Sequence, residues 1–320
     1  MSSKSRKLTI VHVGLLTGII LGLWAFVSGL VEGLAGYVDP ATFSADQALG
    51  PMPGLFATSL SYALVFTWYA NRTQLSGYRL AAVVFVVLFG VTFFMTQIET
   101  LYFLDAIQMP YVLIFGQVLA GVFVGIGAGV LSSRYKKKLD AGVSETPGGL
   151  NTLPIGDMLR WFTILSIIYT LFYYFFGYFI AWQFPALRAY YTGSTALHSF
   201  ITHMQGQITG EPQLIVFQIF RGYLWAGIAY MAAMNLPKAK AWERMVIVGL
   251  CMAIGASFPL LLPQDFMPAP VRLGHFFELF IENFLFGVVA AYLFLKDWKP
   301  VVESSPGQTA STAFAGEVEV

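Results

Sequence analysis

The sequence predicts an all-helical membrane protein, a bundle of about eight transmembrane helices. Three observations carry that expectation. Hydrophobic residues make up 57% of the 320 residues and charged residues only 11%. The apolar residues gather into segments of spanning length. The basic residues fall in alternating connections.

Composition comes first. Soluble domains are about 45–50% apolar and about 25% charged. A soluble chain this apolar would lack the charged groups needed to cover its surface, so the surface is expected to face lipid. The formal net charge is only +1, which gives no electrostatic footprint for nucleic acid. One cysteine, Cys251, rules out an internal disulfide. Lys4, Arg6 and Lys7 precede a long Gly-rich apolar run with no clear small-x-small cleavage site. The run reads as a retained first helix rather than a signal peptide.

Apolar segments lie at 10–35, 53–70, 80–103, 110–132, 158–183, 213–235, 243–263 and 272–295. Each approaches the ~20 residues that a hydrocarbon core requires. The second is the shortest. Helices are the default because lipid offers unpaired backbone groups no partner, and no alternating barrel pattern is present.

Fifteen of the eighteen basic residues fall on one side of that arrangement; the exceptions are Arg188, Arg221 and Arg272. The positive-inside rule then puts residues 1–9 and the tail 296–320 in the cytoplasm of a multi-pass cell-membrane protein. The opposite connections are acidic or neutral, with Asp39 and Asp46 in 36–52, Asp105 in 104–109 and Asp265 in 264–271. The long outer loop 184–212 holds His198 and His203, and 195–208 reads as a short interfacial helix, a lid or a plain connector. The linker 133–157, with Gly142, Pro147, Gly148, Gly149 and Pro154, separates spans 1–4 (10–132) from spans 5–8 (158–295). The tail after Pro300 reads as disordered.

Two packing expectations follow. Gly14, Gly18 and Gly22 in the first span, and Gly121, Gly125 and Gly129 in the fourth, recur at steps of four. Residues four apart share a face, and glycine there permits close backbone approach. Both spans are therefore expected to be tightly packed interior helices. The fifth span is crowded with aromatic residues, including Tyr169, Tyr173, Tyr174 and Tyr178. These suit either lipid and helix packing or the lining of a site for a flat molecule such as a quinone.

The eighth span carries the most informative polar pattern: Arg272, His275, Glu278, Glu282 and Asn283. The first four share a stripe. Ionisable groups at membrane depth are costly and usually face an interior partner or water. Glu99, Gln97, Gln117, Gln218 and Arg221 are expected at similar depth on other spans. Together they predict a polar cavity open to the outer face, with Arg221 pairing with Glu278 or Glu282.

Three readings fit this stripe. It is a structural ion-pair network, a site that binds or moves a small polar solute or cation, or an intramembrane enzyme site acting on a lipid-soluble substrate. In the last, His275, Glu278, Glu282 and Glu99 are candidate metal ligands, and a metal ion or a quinone is the candidate cofactor. The spacing matches no HExxH or Glu-x-x-His motif. No GxGxxG, P-loop or GxSxG pattern occurs. Binding or transport is the working expectation, with membrane lipid as the surrounding partner.

Overall fold

The computed structural model describes residues 3–37, 49–141 and 150–296. Asp39, Asp46, residues 142–149 of the linker and the tail after Pro300 lie outside the described residues. Among the described residues every regular element is helical. Helix α1 is Ser3–Leu34, α2 Met52–Arg72 and α3 Gly77–Leu88. A π-helical stretch, Phe89–Met95, carries α3 into α4, Thr96–Tyr102, and the short α5, Leu104–Ile107, follows. Next come α6 (Tyr111–Leu139) and α7 (Ile155–Phe179). Two shorter helices, α8 (Pro185–Thr192) and α9 (Phe200–Gly210), occupy the long loop. Helices α10 (Pro212–Ala233), α11 (Ala241–Ser257) and α12 (Ala269–Lys296) complete the bundle.

Seven of the described helical stretches are long and apolar enough to cross a membrane. The eighth expected span, α2, is not among them. Its 21 residues would still extend about 31 Å at about 1.5 Å per residue. Thr58, Ser59, Tyr62, Thr67 and Tyr69 make it more polar, and these side chains are buried against neighbouring helices rather than exposed to lipid.

The connections sort into two ends. At one, Arg72 at the close of α2 donates to Glu243 in the first turn of α11 at 2.5 Å. Tyr135 near the end of α6 donates to Asn71 at 3.0 Å. This end holds the lysine-bearing connections. The other end gathers 104–110, 181–211 and 258–268, with α8 and α9 across it. Arg188 ties that cap together by donating to the Trp182 and Thr195 carbonyls. Arg272 does the same for the loop before α12, donating to the Gln264 and Met267 carbonyls.

The glycine expectation holds for α6 and fails for α1. A Cβ on Gly129 would sit 2.6 Å from the Ala81 carbonyl of α3, and one on Gly125 would sit 2.7 Å from the Phe85 ring. On α1, a Cβ on Gly14, Gly18 or Gly22 would meet nothing within 4 Å. Helix α1 instead buries its opposite face, Leu16, Ile20, Trp24 and Val27, and meets α6 at Ile19 and Leu23, which a Cβ on Gly127 would strike. The periodicity was real but marked the lipid-facing side. The tightest helix pair is α11 with α12, where a Cβ on Gly287 would lie 2.8 Å from the Gly249 Cα. Single glycines on two helices leave no repeat in the sequence, so this contact had no visible signal there.

Pro259 and Pro263 mark a stop rather than a kink. Helix α11 ends at Ser257 and passes into a 3-10 turn, Phe258–Leu261.

Candidate functional site

A cavity of about 1420 Å³ opens between the helix ends on the side capped by α8 and α9. Its wall includes Gln97 and Glu99 from α4, Gln117 from α6, and His275 and Glu278 from α12. The acidic stripe of α12 therefore reaches a cavity, but only in part. Glu282, one turn deeper, is fully buried and outside the lining. Among the described residues, neither of its carboxylate oxygens has a hydrogen-bond partner. Asn283 is also buried and outside the lining; its amide donates to the Leu279 carbonyl at 2.9 Å.

Arg221 does not pair with Glu278 or Glu282. Its guanidinium donates to both oxygens of Glu99, Nη1 to Oε1 at 3.0 Å and Nη2 to Oε2 at 2.8 Å. Nη1 also donates to Gln218 Oε1 at 3.0 Å. The rigid donor fork matches a carboxylate in this two-bond geometry. Arg221 is 2% exposed, while the Glu99 side chain is 24% exposed. The cation thus sits behind the wall and the carboxylate forms part of it. Depth along the helices put Arg221 level with Glu278 and Glu282, but the carboxylate that meets it is Glu99, beyond the π-helical stretch.

Glu278 takes a different partner. His275 Nδ1 lies 2.7 Å from Glu278 Oε2. Tyr191 Oη of α8 lies 3.1 Å from His275 Nε2. Burial raises the Tyr191 phenol well above its ordinary value, with Glu99 and Glu278 adding to the effect. Tyr191 therefore keeps its proton, and because a carboxylate oxygen accepts, Nδ1 is the side of His275 that donates to Glu278. A side chain of the capping helix is thereby linked to the buried acid. Sequence reading missed Tyr191, because nothing in an eight-residue loop helix ties it to a residue 84 positions away.

Among the described residues, no donor reaches Glu278 Oε1. That oxygen faces Gly177 of α7, where a Cβ would come within 3.1 Å of it. Both residues line the cavity. Tyr173, Tyr174 and Tyr178 of the aromatic span and Trp182 just beyond it also line the wall, while Phe175 and Phe179 point outward. One face of the aromatic span thus lines the cavity and the other is exposed.

The four candidate metal ligands do not converge. Glu99 is held by Arg221, Glu278 by His275, and Glu282 stands apart. Among the described residues, no group of three or more His, Cys, Asp or Glu side chains is placed to hold a metal ion. Helical steps put these acids on one stripe, but metal ligation also needs their oxygens to meet at a point.

Gln117 accepts from Trp24 Nε1 at 3.1 Å and donates to Ser28 Oγ at 3.2 Å, which fixes it between α1 and α6. Gln97 keeps a buried carbonyl oxygen without a partner. His12 is remote from the cavity and stacks on Tyr135 at 4.1 Å. No protein-family model matches the chain, and neither a curated protein nor a solved structure does.

Proposed function

We propose that the protein binds, and moves across or within the membrane, a small polar solute or cation that enters through this cavity from the outer face. The observation that supports the reading is the placement of Glu278: 4% exposed, on the wall of the cavity, with one oxygen that no donor reaches among the described residues. A carboxylate at such depth is expensive to maintain. Among the described residues the side chain bound to Glu278 is His275, on its other oxygen.

The structural role has a better candidate in Arg221–Glu99, which joins α10 to α4. That pair holds the bundle together next to the cavity and leaves Glu278 for a visitor. The assignment of the open end to the outer face rests on the basic residues, which cluster at the opposite end.

The test is solute flux into vesicles containing the purified protein. A panel of inorganic cations, organic cations, neutral polar solutes and organic anions is applied to wild type and to Glu278→Gln. Saturable uptake or binding lost in the variant supports the reading. Equal leak or equal binding in both proteins overturns it. Turnover of a lipid-soluble compound without flux would favour an intramembrane enzyme.

A further inference from the structure

We infer that the occupant of the cavity is an organic cation, an amine or quaternary ammonium group with an apolar body, rather than an inorganic ion, an anion or a neutral polar solute. The inference rests on the reading of the cavity as a solute site and names the chemistry that it would accept.

Charge gives the sign. The described lining carries six carboxylates, Glu32, Glu99, Asp105, Glu211, Asp265 and Glu278, and no lysine or arginine. Arg221 compensates one of them, Glu99, from behind the wall. A cleft of one sign with low-dielectric walls concentrates ions of the opposite sign.

Geometry excludes a chelated metal. Divalent cations require several oxygens converging at bonding distance, and the described acids are spread around the space rather than gathered. The volume, about 1420 Å³, exceeds the several hundred cubic ångströms typical of small-molecule clefts. An occupant with a body as well as a charge suits it.

The aromatic wall gives the class. Tyr173, Tyr174, Tyr178, Trp182 and Tyr191 line the same space as Glu278. Ring faces attract ammonium groups, and such walls recognise quaternary ammonium ligands. A carboxylate beside rings satisfies the charge while the rings cover the alkyl groups, which a strongly hydrated inorganic ion does not offer. Two polar atoms of this lining, Gln97 Oε1 and Tyr174 Oη, are buried without a hydrogen-bond partner. Gly177 supplies the room: a Cβ there would come within 3.1 Å of Glu278 Oε1, and both residues line the cavity.

The experiment compares matched probes on the purified full-length protein, by calorimetry and thermal unfolding. Choline and tetraethylammonium are the cations. The neutral isostere 3,3-dimethylbutanol, sodium chloride and acetate are the controls. Saturable binding of the cations, at least tenfold tighter than the isostere, is expected. It should fall at least tenfold in Glu278→Gln. In Gly177→Val, where the added carbons crowd Oε1, it should fall likewise. If Glu278→Gln does not fold, the Gly177→Val comparison decides, and wild-type affinity there overturns the inference. Binding of the isostere or acetate equal to that of the cations overturns it while leaving a solute site in place. No binding of either cation also overturns it, and the flux panel described above then reports separately whether the cavity takes any solute.

Discussion

Arg221 on α10 grips both oxygens of Glu99 on α4, from a position 122 residues further along the chain. The two bonds join α10 to α4 beside the cavity wall. Breaking one side leaves the other charge without its partner, which costs about 3–5 kcal/mol when the survivor stays fully buried. Glu99 is partly exposed to the cavity, so water lowers that figure for Arg221→Ala. Glu99→Ala strands the guanidinium in the interior and should be the worse variant. Thermal unfolding of both, and of the swapped pair Arg221→Glu with Glu99→Arg, is the measurement. Recovery of folded yield in the swapped double variant is expected. A double variant no better than the sum of its parts would count against direct pairing.

The glycines of α1 and α6 should respond in opposite ways. Gly125→Leu forces carbon into the Phe85 ring, and overpacking of this kind costs about 1–3 kcal/mol or more. Gly18→Leu meets nothing and should leave yield and unfolding temperature near wild type. If Gly18→Leu proved as damaging as Gly125→Leu, α1 would have to be packed against something on its open face.

Glu282 offers a separate check. Among the described residues neither of its oxygens has a donor, so burying this carboxyl group costs desolvation with no hydrogen bond in return. Glu282→Gln keeps the shape and should fold with equal or higher thermal stability. A collapse of folded yield in this conservative variant would mean that the carboxylate is engaged by a partner.

His203 on α9 packs its ring 4.8 Å from Trp182 and 5.4 Å from Tyr178. Burial, and then the neighbouring His198, lower its pKa from the ordinary imidazole value. A lowered value means the unfolded segment takes up a proton more readily than the folded one. The contribution of His203 is therefore complete above the ordinary value, about 6.5, and is lost as pH falls through the lower folded value. Hydrogen exchange across 199–211 should accelerate as pH is lowered from 8 toward 5, after correction for intrinsic rates. His203→Gln should remove most of that dependence.

Topology can be tested with the chain's own chemistry. Cys251, its only cysteine, is buried. In a Cys251→Ala background, Lys7→Cys and Lys296→Cys should react with an impermeant thiol reagent from the same side of the membrane. Labelling from opposite sides would mean an odd number of crossings, with α2 failing to span.

The helices were legible because spanning segments are long and each leaves a strong local signal. The polar residues of the cavity were legible for the same reason, since Glu99, Gln117, His275 and Glu278 stand out against apolar neighbours. What they touch was not. Depth along a helix follows from counting residues, whereas the choice of Glu99 over Glu282 for Arg221 depends on rotation about helix axes and on which helices are adjacent. The glycine stripe of α1 failed for a related reason: a smooth face suits a close neighbour, but it does not say that one is present. Tyr191 and Gly177 entered the site through tertiary placement alone.

The π-helical stretch Phe89–Met95 sets the angular bearing of Glu99. A regular helix turns about 100° per residue, and a π segment accommodates an additional residue in its wider ring. Everything downstream is thereby rotated by roughly 100° relative to an unbroken helix. The first half of this rod is clocked by its packing, with Ala81 against Gly129 and Phe85 against Gly125. The second half is clocked by the cavity. Shortening the stretch by one residue would leave length, hydropathy and membrane insertion nearly unchanged while steering Glu99 away from Arg221. The bundle therefore keeps two separate settings on one rod, one for how the helix sits among its neighbours and one for what it offers the cavity.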